Sequence, residues 1–260
     1  MNNTWPTGVF STRLIQNLSD QGAISAGRPY DHDQIQPASL DLRLGETAFR
    51  VRSSFLPGPG KTVTERIETL KLHEIDLTKG AVLERGCVYI VPLLESLDLP
   101  DEVSASANPK SSTGRLDIFT RVISDAARSF DIVPAGYKGA LYLEISPRTF
   151  PVLVRTGSRL SQMRFRVGDA RLDAAGHKAL HAEQTLVFDP NMDVGEGVSL
   201  SIDLIGEGRS GLIGFRSKRH TAVVDVDKKN ALDVLDYWDP LVNRGSGELI
   251  LDPDEFYILV

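Results

Sequence analysis

Short apolar or alternating segments recur along the chain between residues 37 and 167, and Gly, Pro or Asp residues separate them. Alternation with a period of two places successive side chains on opposite faces of a β-strand. The segments predicted as strands are 39–44, 47–51, 87–93, 102–107, 118–123, 139–145, 151–154 and 160–167. Because strands follow one another at this density with few helical stretches between them, the pattern predicts an all-β barrel or jelly roll.

Three segments favour short helices instead. Ser11 is a suitable N-cap for a helix that ends near Gly22, and residues 64–73 fit one or two helical turns. Asp173 is a suitable N-cap for a further helix that reaches Glu183. We interpret this last helix as a connector, because the strand pattern stops near residue 168.

The sequence after the connector resembles the beginning of the chain. Residues 201–204 (SIDL) match 39–42 (SLDL), and residues 251–259 match 83–91 at a nearly equal offset. Such a repeat predicts a tandem duplication of one β-domain, and chance similarity between strands of like composition is the alternative.

The repeat sets the predicted domain boundaries. Residues 1–168 form the first domain, 169–184 the connecting helix, and 185–260 the start of a second repeat. Because the second copy ends where the first has only reached Val91, we expect it to be incomplete in this chain or degenerate.

Composition and charge narrow the class of protein. With 41% hydrophobic and 25% charged residues, the chain has the composition of a globular protein rather than of a disordered or collagen-like one. Its net charge of -6 argues against a protein that coats nucleic acid. No apolar run approaches the roughly 20 residues of a membrane span, residues 1–10 lack the regions of a signal peptide, and the single cysteine, Cys87, fits a reducing compartment. We therefore expect a cytoplasmic protein that binds neither nucleic acid nor membrane.

The densest polar cluster lies between two predicted strands, at residues 108–115. Small hydroxyl residues beside a glycine leave backbone N–H groups accessible to phosphate oxygens, while a lysine adds a point charge and an arginine a two-pronged donor. The candidate anion-binding residues are Lys110, Ser111, Ser112, Thr113, Gly114 and Arg115. Taken alone, the same cluster also fits an ordinary turn.

Four motifs occur in order along the chain: 37–45 (PASLDLRLG), 110–115 (KSSTGR), 134–144 (PAGYKGALYLE) and 157–162 (GSRLSQ). Over about residues 10–167, this order and spacing resembles the dCTP deaminase and dUTPase family, and more closely its long, two-repeat dCTP deaminases. The resemblance implies a mainly all-β fold, with a distorted, dUTPase-like jelly roll in tandem and a few short helices. It also implies a homo-oligomer with three-fold or pseudo-three-fold character, sites at subunit interfaces, and a nucleoside triphosphate bound with Mg²⁺.

The resemblance assigns roles to the polar residues. It places the triphosphate on Ser111, Ser112 and Arg115, with Lys110 where the family usually has an arginine. Glu144 falls on the glutamate that serves the deaminases as catalytic acid and base.

Recognition of the base and the sugar is assigned to the third motif. Tyr142 and Leu143 align with strand residues whose backbone reads the cytosine ring. Family members commonly have an aspartate immediately before the Pro-Gly of this motif, and here Val133 holds that place, with Ala135 inserted before the glycine. We expect Asp131 to substitute for the missing aspartate after a local shift.

The cysteine count bears on the reaction. Most nucleobase deaminases hold zinc through an HxE and a PCxxC sequence, and a chain with one cysteine cannot supply the second. The resemblance therefore implies zinc-independent hydrolytic deamination of dCTP to dUTP and ammonia, for the supply of dUMP and dTTP. Mg²⁺ would lie on the nucleotide phosphates, with no metal held by the protein itself; dUTP is a further ligand and dTTP a candidate inhibitor. Two alternatives remain: a dUTP diphosphatase, alone or combined with deamination, and a non-catalytic nucleotide-binding or assembly protein.

Overall fold

The computed structural model describes residues 5–259 apart from 189–193, 196, 199, 207–210, 244 and 246. The chain forms two compact units, of which the first comprises Met1–Gly168 and Ser217–Trp238, and the second Asp169–Arg216 and Asp239–Val260.

Strands account for most of the regular structure. In chain order they are β1 (Gly8–Val9), β2 (Ile24–Ala26), β3 (Ile35–Gln36), β4 (Ser39–Arg43), β5 (Thr47–Val51), β6 (Lys71–Asp76), β7 (Ala81–Leu83), β8 (Val88–Asp98), β9 (Val103–Pro109), β10 (Ile118–Ser124), β11 (Ile132–Val133), β12 (Lys138–Pro147), β13 (Val152–Val154), β14 (Arg159–Val167), β15 (Leu212–Ser217), β16 (Val224–Asp225), β17 (Trp238–Val242) and β18 (Tyr257–Leu259). The helices are α1 (Thr12–Asp20), α2 (Val63–Leu70), α3 (Ser111–Gly114), α4 (Ala174–Glu183) and α5 (Val234–Tyr237). The mainly β fold and the predicted strands of the first unit are confirmed.

Two antiparallel sheets build the first unit. Sheet A has the order β11-β9-β14-β4-β3, with β1 beside β14, and sheet B has the order β10-β12-β8-β5-β6, with β2 beside β8. The inner faces of both sheets contribute to one hydrophobic core. This is the arrangement of a β-sandwich, in which alternate residues of each strand point inward.

Strand β12 is buried on both faces. Leu141, Leu143 and Ile145 point into the core between the sheets, whereas Tyr142 joins a second apolar cluster on the outer face of sheet B. Since side chains alternate along a strand, Glu144 shares the outer face with Tyr142. The sheet therefore presents a polar side chain on a face that is covered rather than open to water.

Helix α2 provides part of that cover. Val63 and Ile67 on the helix pack in the outer cluster. The helix begins with a capping box, in which the Thr62 hydroxyl accepts from the Glu65 amide at 3.2 Å and the Thr62 amide donates to the Glu65 carboxylate at 2.7 Å. The Val63 amide also donates to Asp125 Oδ1 at 2.7 Å, which ties the helix to the loop after β10. The predicted helical turns at 64–73 thus form a helix that ends at Leu70, and strand β6 follows it directly.

A buried ion pair joins the two sheets. Arg43 on β4 donates through Nε to Glu95 Oε1 on β8 at 2.8 Å, and both side chains are fully buried. The Arg43 amide donates to Glu95 Oε2 at 2.7 Å, and Gln34 donates to Oε1 at 2.8 Å. The guanidinium also donates to the carbonyl oxygens of Pro29 and Arg28, so both charges are hydrogen-bonded on several sides.

Residues 217–238 complete the first unit. Strand β16 pairs in parallel with β13, and Arg155 binds Asp225 through two N–H···O bonds of 2.7 and 2.8 Å. Phe150 packs edge-on against Tyr237 and Trp238, with ring centroids 5.9 and 5.4 Å away. These contacts place a segment from beyond the predicted connector within the first unit.

The second unit contains helix α4 and a small sheet of order β17-β15-β18. Asp173 is the N-cap of α4 as predicted, and its Oδ1 accepts from the Gly176 amide at 2.7 Å. Residues 201–204, which match 39–42 in sequence, are in no strand here, and the tandem duplication with its domain boundaries stays a prediction. Within the described part of the chain, no helix is long and apolar enough to cross a bilayer.

The buried pair predicts a large effect of Glu95→Ala on stability. Removing the carboxylate leaves the Arg43 charge buried without its partner, which costs on the order of 3–5 kcal/mol. We expect urea unfolding to show that loss. The exposed pair of Lys71 and Glu74 is the control, and Glu74→Ala should change the free energy of unfolding by about 0–1 kcal/mol. Equal small effects of the two variants would contradict the structural role of the buried pair.

Candidate active site

The pairing of β10 with β12 sets Glu144 directly opposite Arg121. Arg121 donates to Glu144 Oε1 from Nε at 3.0 Å and from Nη2 at 2.6 Å. The glutamate is only 1% exposed, and its Oε2 is buried without a hydrogen-bond partner among the described residues. The candidate catalytic carboxylate thus has one oxygen held in place and the other available to a water molecule or a ligand.

Aromatic rings surround the Arg121 guanidinium. It lies 3.6 Å from the ring centroid of Phe130 and 4.9 Å from that of Phe119. Its Nη2 also donates to Ser54 Oγ at 2.6 Å. The cation therefore contacts two aromatic rings and donates to a hydroxyl as well as to the carboxylate.

Tyr142 and Leu143 lie on opposite sides of sheet B. The Tyr142 side chain is buried in the outer cluster, with its hydroxyl 3.0 Å from Thr64 Oγ1 on helix α2. Leu143 points into the core, and it pairs with Val122 on one side and Val91 on the other. The register between β12 and β8 shifts between Ala140 and Tyr142, so the ladder is interrupted close to the predicted base-binding position.

Asp131 lies beside the Arg121–Glu144 pair in a left-handed backbone conformation, with φ of 62°. Its Oδ1 accepts from the Val122 amide at 2.8 Å. Its own amide donates to the Val122 carbonyl oxygen, and its carbonyl oxygen accepts from the Ala107 amide, so Asp131 connects strands of the two sheets. Burial raises the pKa of Asp131, and the nearby charge of Glu144 acts in the same direction, while the Val122 amide and Arg121 lower it. The structure thus brings Asp131 close to Glu144.

Tyr137 fixes the turn of the third motif. Its hydroxyl donates to the Ala140 carbonyl oxygen at 2.7 Å and accepts from the Asp125 amide at 3.1 Å. Burial raises the pKa of Tyr137 to about 12. The phenol therefore keeps its proton at physiological pH, and the turn that leads into β12 stays hydrogen-bonded.

The predicted phosphate-binding segment follows β9 and contains the short helix α3. Ser111 and Ser112 are exposed and line a cleft of about 410 Å³ together with Lys110. Arg115 is also exposed, and its Nη2 donates to Ser111 Oγ at 3.1 Å. Hydroxyl and guanidinium donors are therefore concentrated on one accessible surface, as an anion requires.

Two residues of this segment are engaged elsewhere. Thr113 is buried, and its hydroxyl donates to the Leu160 carbonyl oxygen at 2.7 Å, so it anchors the segment to β14. The Lys110 ammonium binds Asp41 Oδ2. Asp41 itself is 1% exposed, and its Oδ1 is buried without a hydrogen-bond partner in the part of the chain that the structure describes.

Glu144 is not among the residues that line the cleft of Ser111 and Ser112. Within one chain, the buried Glu144 is thus not part of the cleft that Ser111 and Ser112 line.

No motif of the sequence assigns Arg121 or Phe130 to the site. The alternation of β10 places Arg121 on the same face as Phe119, but its contact with Glu144 depends on the register between two strands. That register is set by the turn and loop between the strands, including the Asp131 and Tyr137 contacts. No local motif of the sequence predicts it.

Two family models match the chain. The 2'-deoxycytidine 5'-triphosphate deaminase (DCD) N-terminal domain matches residues 6–169, and the C-terminal domain of the same family matches residues 173–260.

Curated relatives resemble the first part of the chain. A "dCTP deaminase, dUMP-forming" from Coprothermobacter proteolyticus is 31% identical over 160 residues, which are 60% of this chain and 81% of the relative. A protein of the same description from Beutenbergia cavernae is 28% identical over 157 residues, which are 58% of this chain and 78% of the relative.

A solved structure extends the likeness to nearly the whole chain. The crystal structure of 2'-deoxycytidine 5'-triphosphate deaminase from Agrobacterium tumefaciens is 62% identical in sequence and superposes with a TM-score of 0.93, over 97% of this chain and 76% of that one. The dUTPase-like β fold implied by the four motifs is thereby confirmed. With its N-terminal family model covering more than half of the residues, the chain belongs to the 2'-deoxycytidine 5'-triphosphate deaminase family.

Proposed function

We propose that this protein deaminates dCTP hydrolytically to dUTP and ammonia, without zinc, in the supply of dUMP and dTTP. Its family makes it an enzyme, a hydrolase of nucleotide metabolism. The observation that carries the proposal is the buried Glu144, with Oε1 bound to Arg121 and Oε2 unpartnered in the described residues. A carboxylate held in this way can exchange protons at one defined atom.

The reaction needs several proton transfers, which one carboxylate can relay. Glu144 takes a proton from water as the oxygen adds to C4 of the cytosine ring, and it delivers that proton to ring N3. It next takes the remaining hydroxyl proton of the tetrahedral intermediate and passes it to the amino group. The C4–N bond then breaks, ammonia leaves and the C4 carbonyl of dUTP forms. One water is consumed for each ammonia released.

The triphosphate would lie on the exposed donors of the α3 segment. Ser111, Ser112 and Arg115 supply hydroxyl and guanidinium donors, and Lys110 adds a positive charge that Asp41 balances in the free protein. Thr113 and Gly114 shape the segment, with Thr113 anchored to β14.

Mg²⁺ would enter with the nucleotide and neutralise part of the phosphate charge. Among the described residues, no group of three or more His, Cys, Asp or Glu side chains could hold a metal ion. Mg²⁺ commonly keeps several waters and binds substrate phosphates. The unpartnered Oδ1 of Asp41, a residue that lines the cleft, fits a hydrogen bond from one of those waters.

The base and the sugar would bind between Asp131 and the middle of β12. Asp131 lies close enough to Glu144 for the charge of Glu144 to raise the pKa of Asp131. This proximity supports the role proposed for Asp131 at the deoxyribose. Recognition of the base is assigned to the backbone of Tyr142 and Leu143, which follow Leu141, where the register between β12 and β8 shifts.

Subunit assembly would complete the site. Because Glu144 does not line the cleft of Ser111 and Ser112 in one chain, we propose a homo-oligomer with three-fold or pseudo-three-fold character, in which neighbouring subunits contribute the two parts. The proposal includes a cytoplasmic location, no nucleic-acid partner and inhibition by dTTP.

A second candidate function is deamination coupled to diphosphate hydrolysis. It is favoured by the relatives from Coprothermobacter and Beutenbergia, whose names say that they form dUMP. The valine at position 133, where the family commonly has an aspartate, argues against it. Incubation with dCTP and Mg²⁺ distinguishes the two functions, because pyrophosphate accompanies ammonia only in the coupled reaction.

Glu144→Gln should abolish most of the chemistry and leave nucleotide binding largely intact. The amide keeps the size of the carboxylate but cannot take a proton from water, and general acid-base groups contribute about 10²–10⁴ in rate. We expect kcat for ammonia release to fall by that factor with little change in KM. Glu74→Gln, at an exposed pair on β6, is the matched control. Near wild-type ammonia release by the Glu144 variant would remove this residue from the mechanism.

Arg115→Ala should weaken dCTP binding by about 10- to 100-fold, because a charge-assisted hydrogen bond contributes roughly 1.5–3 kcal/mol. Binding would be measured by calorimetry with dCTP and with deoxycytidine. The loss should be confined to the triphosphate, since the nucleoside offers the arginine no anion. Arg13→Ala, at an exposed position of α1, is the control. Unchanged dCTP affinity in the folded variant would show that residues 110–115 form an ordinary turn and not a phosphate-binding site.

Activity should require Mg²⁺ and no zinc. Treatment with EDTA should stop ammonia release, and Mg²⁺ alone should restore it, because the ion enters with the phosphates. Elemental analysis of the active protein is the second measurement. Stoichiometric zinc whose removal abolishes turnover would show that the deamination uses metal-activated water instead.

A further inference from the structure

The hydrogen bonds around Glu144 are unevenly distributed. Both donors of Arg121 converge on Oε1, at 3.0 and 2.6 Å, while Oε2 is buried and has no partner among the described residues. A buried carboxylate oxygen without a donor is costly. An oxygen that accepts no hydrogen bond, beside one that accepts two, indicates a place for a donor that arrives with the substrate, such as the attacking water.

We infer that Arg121 is the positioning residue of Glu144. It fixes Oε1 and thereby presents Oε2 as the atom that exchanges protons in the reaction. This inference rests on the proposed function, since it assigns a role within that same site.

The neighbouring strands make Arg121 the cross-strand donor to Glu144. On β10 the residue opposite Glu144 is Arg121, and on β8 it is Ile90, which has no side-chain donor. Side chains directly opposite each other on antiparallel strands have Cβ atoms about 4.5–5.5 Å apart, so the contact is built into the register. Loss of Arg121 would leave the carboxylate without a fixed orientation.

The guanidinium is held by groups that a lysine would not satisfy. Phe130 and Phe119 contact the cation at 3.6 and 4.9 Å, and Ser54 accepts from Nη2 at 2.6 Å. A planar guanidinium can stack on a ring and donate along its edge at the same time, whereas an ammonium is a point charge on a flexible chain. The requirement therefore concerns shape as well as charge.

Positioning predicts a defined kinetic effect. A misplacement of about 1 Å at a reacting group can cost on the order of 10²-fold in rate. If Arg121 sets the direction of Oε2, its loss should lower kcat for ammonia release by about 10- to 100-fold and leave KM for dCTP within about threefold, because Arg121 is not among the proposed phosphate-binding residues.

The experiment compares Arg121→Ala and Arg121→Lys with the wild type in ammonia release from dCTP, with and without added guanidinium chloride at non-denaturing concentration. Arg171→Ala is the matched control, because Arg171 also pairs with a carboxylate, Asp169, but is highly exposed. We expect guanidinium, and not sodium chloride at equal ionic strength, to restore part of kcat in Arg121→Ala by occupying the space beside Phe130 and Phe119 that the side chain leaves. Arg121→Lys keeps the charge and should stay slow. If Arg121→Ala does not fold, as judged by circular dichroism, the test is the comparison of kcat between folded Arg121→Lys and the wild type.

The outcomes separate the positioning role from the function itself. Wild-type protein that releases ammonia, together with folded Arg121 variants of unchanged kcat, would overturn the inference and leave the proposed function standing. If folded Arg121→Ala loses kcat and guanidinium does not restore it, Arg121 has a structural role alone. That result would also overturn the inference and leave the proposed function standing. Wild-type protein that releases no ammonia from dCTP would overturn the proposed function, and the inference with it.

Discussion

A carboxylate buried against a β-sheet has to be hydrogen-bonded, and the contact between Arg121 and Glu144 meets that requirement at Oε1. The rest of the site follows from it. Strand β12 directs its leucines into the core and Glu144 to the outer face, where Glu144 is almost fully buried. Packing of the core therefore fixes which face of sheet B carries the carboxylate, and the register with β10 fixes its partner.

Much of the fold could be predicted because its strands alternate in burial and are separated by Gly, Pro and Asp. Strand β6 was missed because its residues are polar and mostly exposed, so an edge strand of this kind carries no apolar alternation. The capping box of α2 was present in the sequence as Thr62 and Glu65, and it gives the helix a defined start. Local signals thus sufficed wherever one strand or helix was considered by itself.

The site was predictable only in part. The motif gives Glu144 as the candidate carboxylate, but pairing across strands and sheets is a tertiary property. The contacts of Arg121 with Glu144 and of Lys110 with Asp41 could therefore not be predicted from the sequence. Thr113 illustrates the same limit, since its hydroxyl looks identical to that of its serine neighbours in sequence and yet is buried against β14. Residue types reveal which chemistry is available, and the packing decides which of the groups are free to perform it.

The return of residues 217–238 to the first unit has a consequence for biosynthesis. Strand β13 receives its parallel neighbour β16 from about seventy residues further along the chain, and Phe150 receives both of its ring contacts from near Trp238. A ribosome delivers the chain from the N-terminus at about 5–20 residues per second. The first unit therefore waits several seconds after its two main sheets have emerged before its last strand is available. During that interval the edge of β13 and the ring of Phe150 are open to chaperones and to other nascent chains.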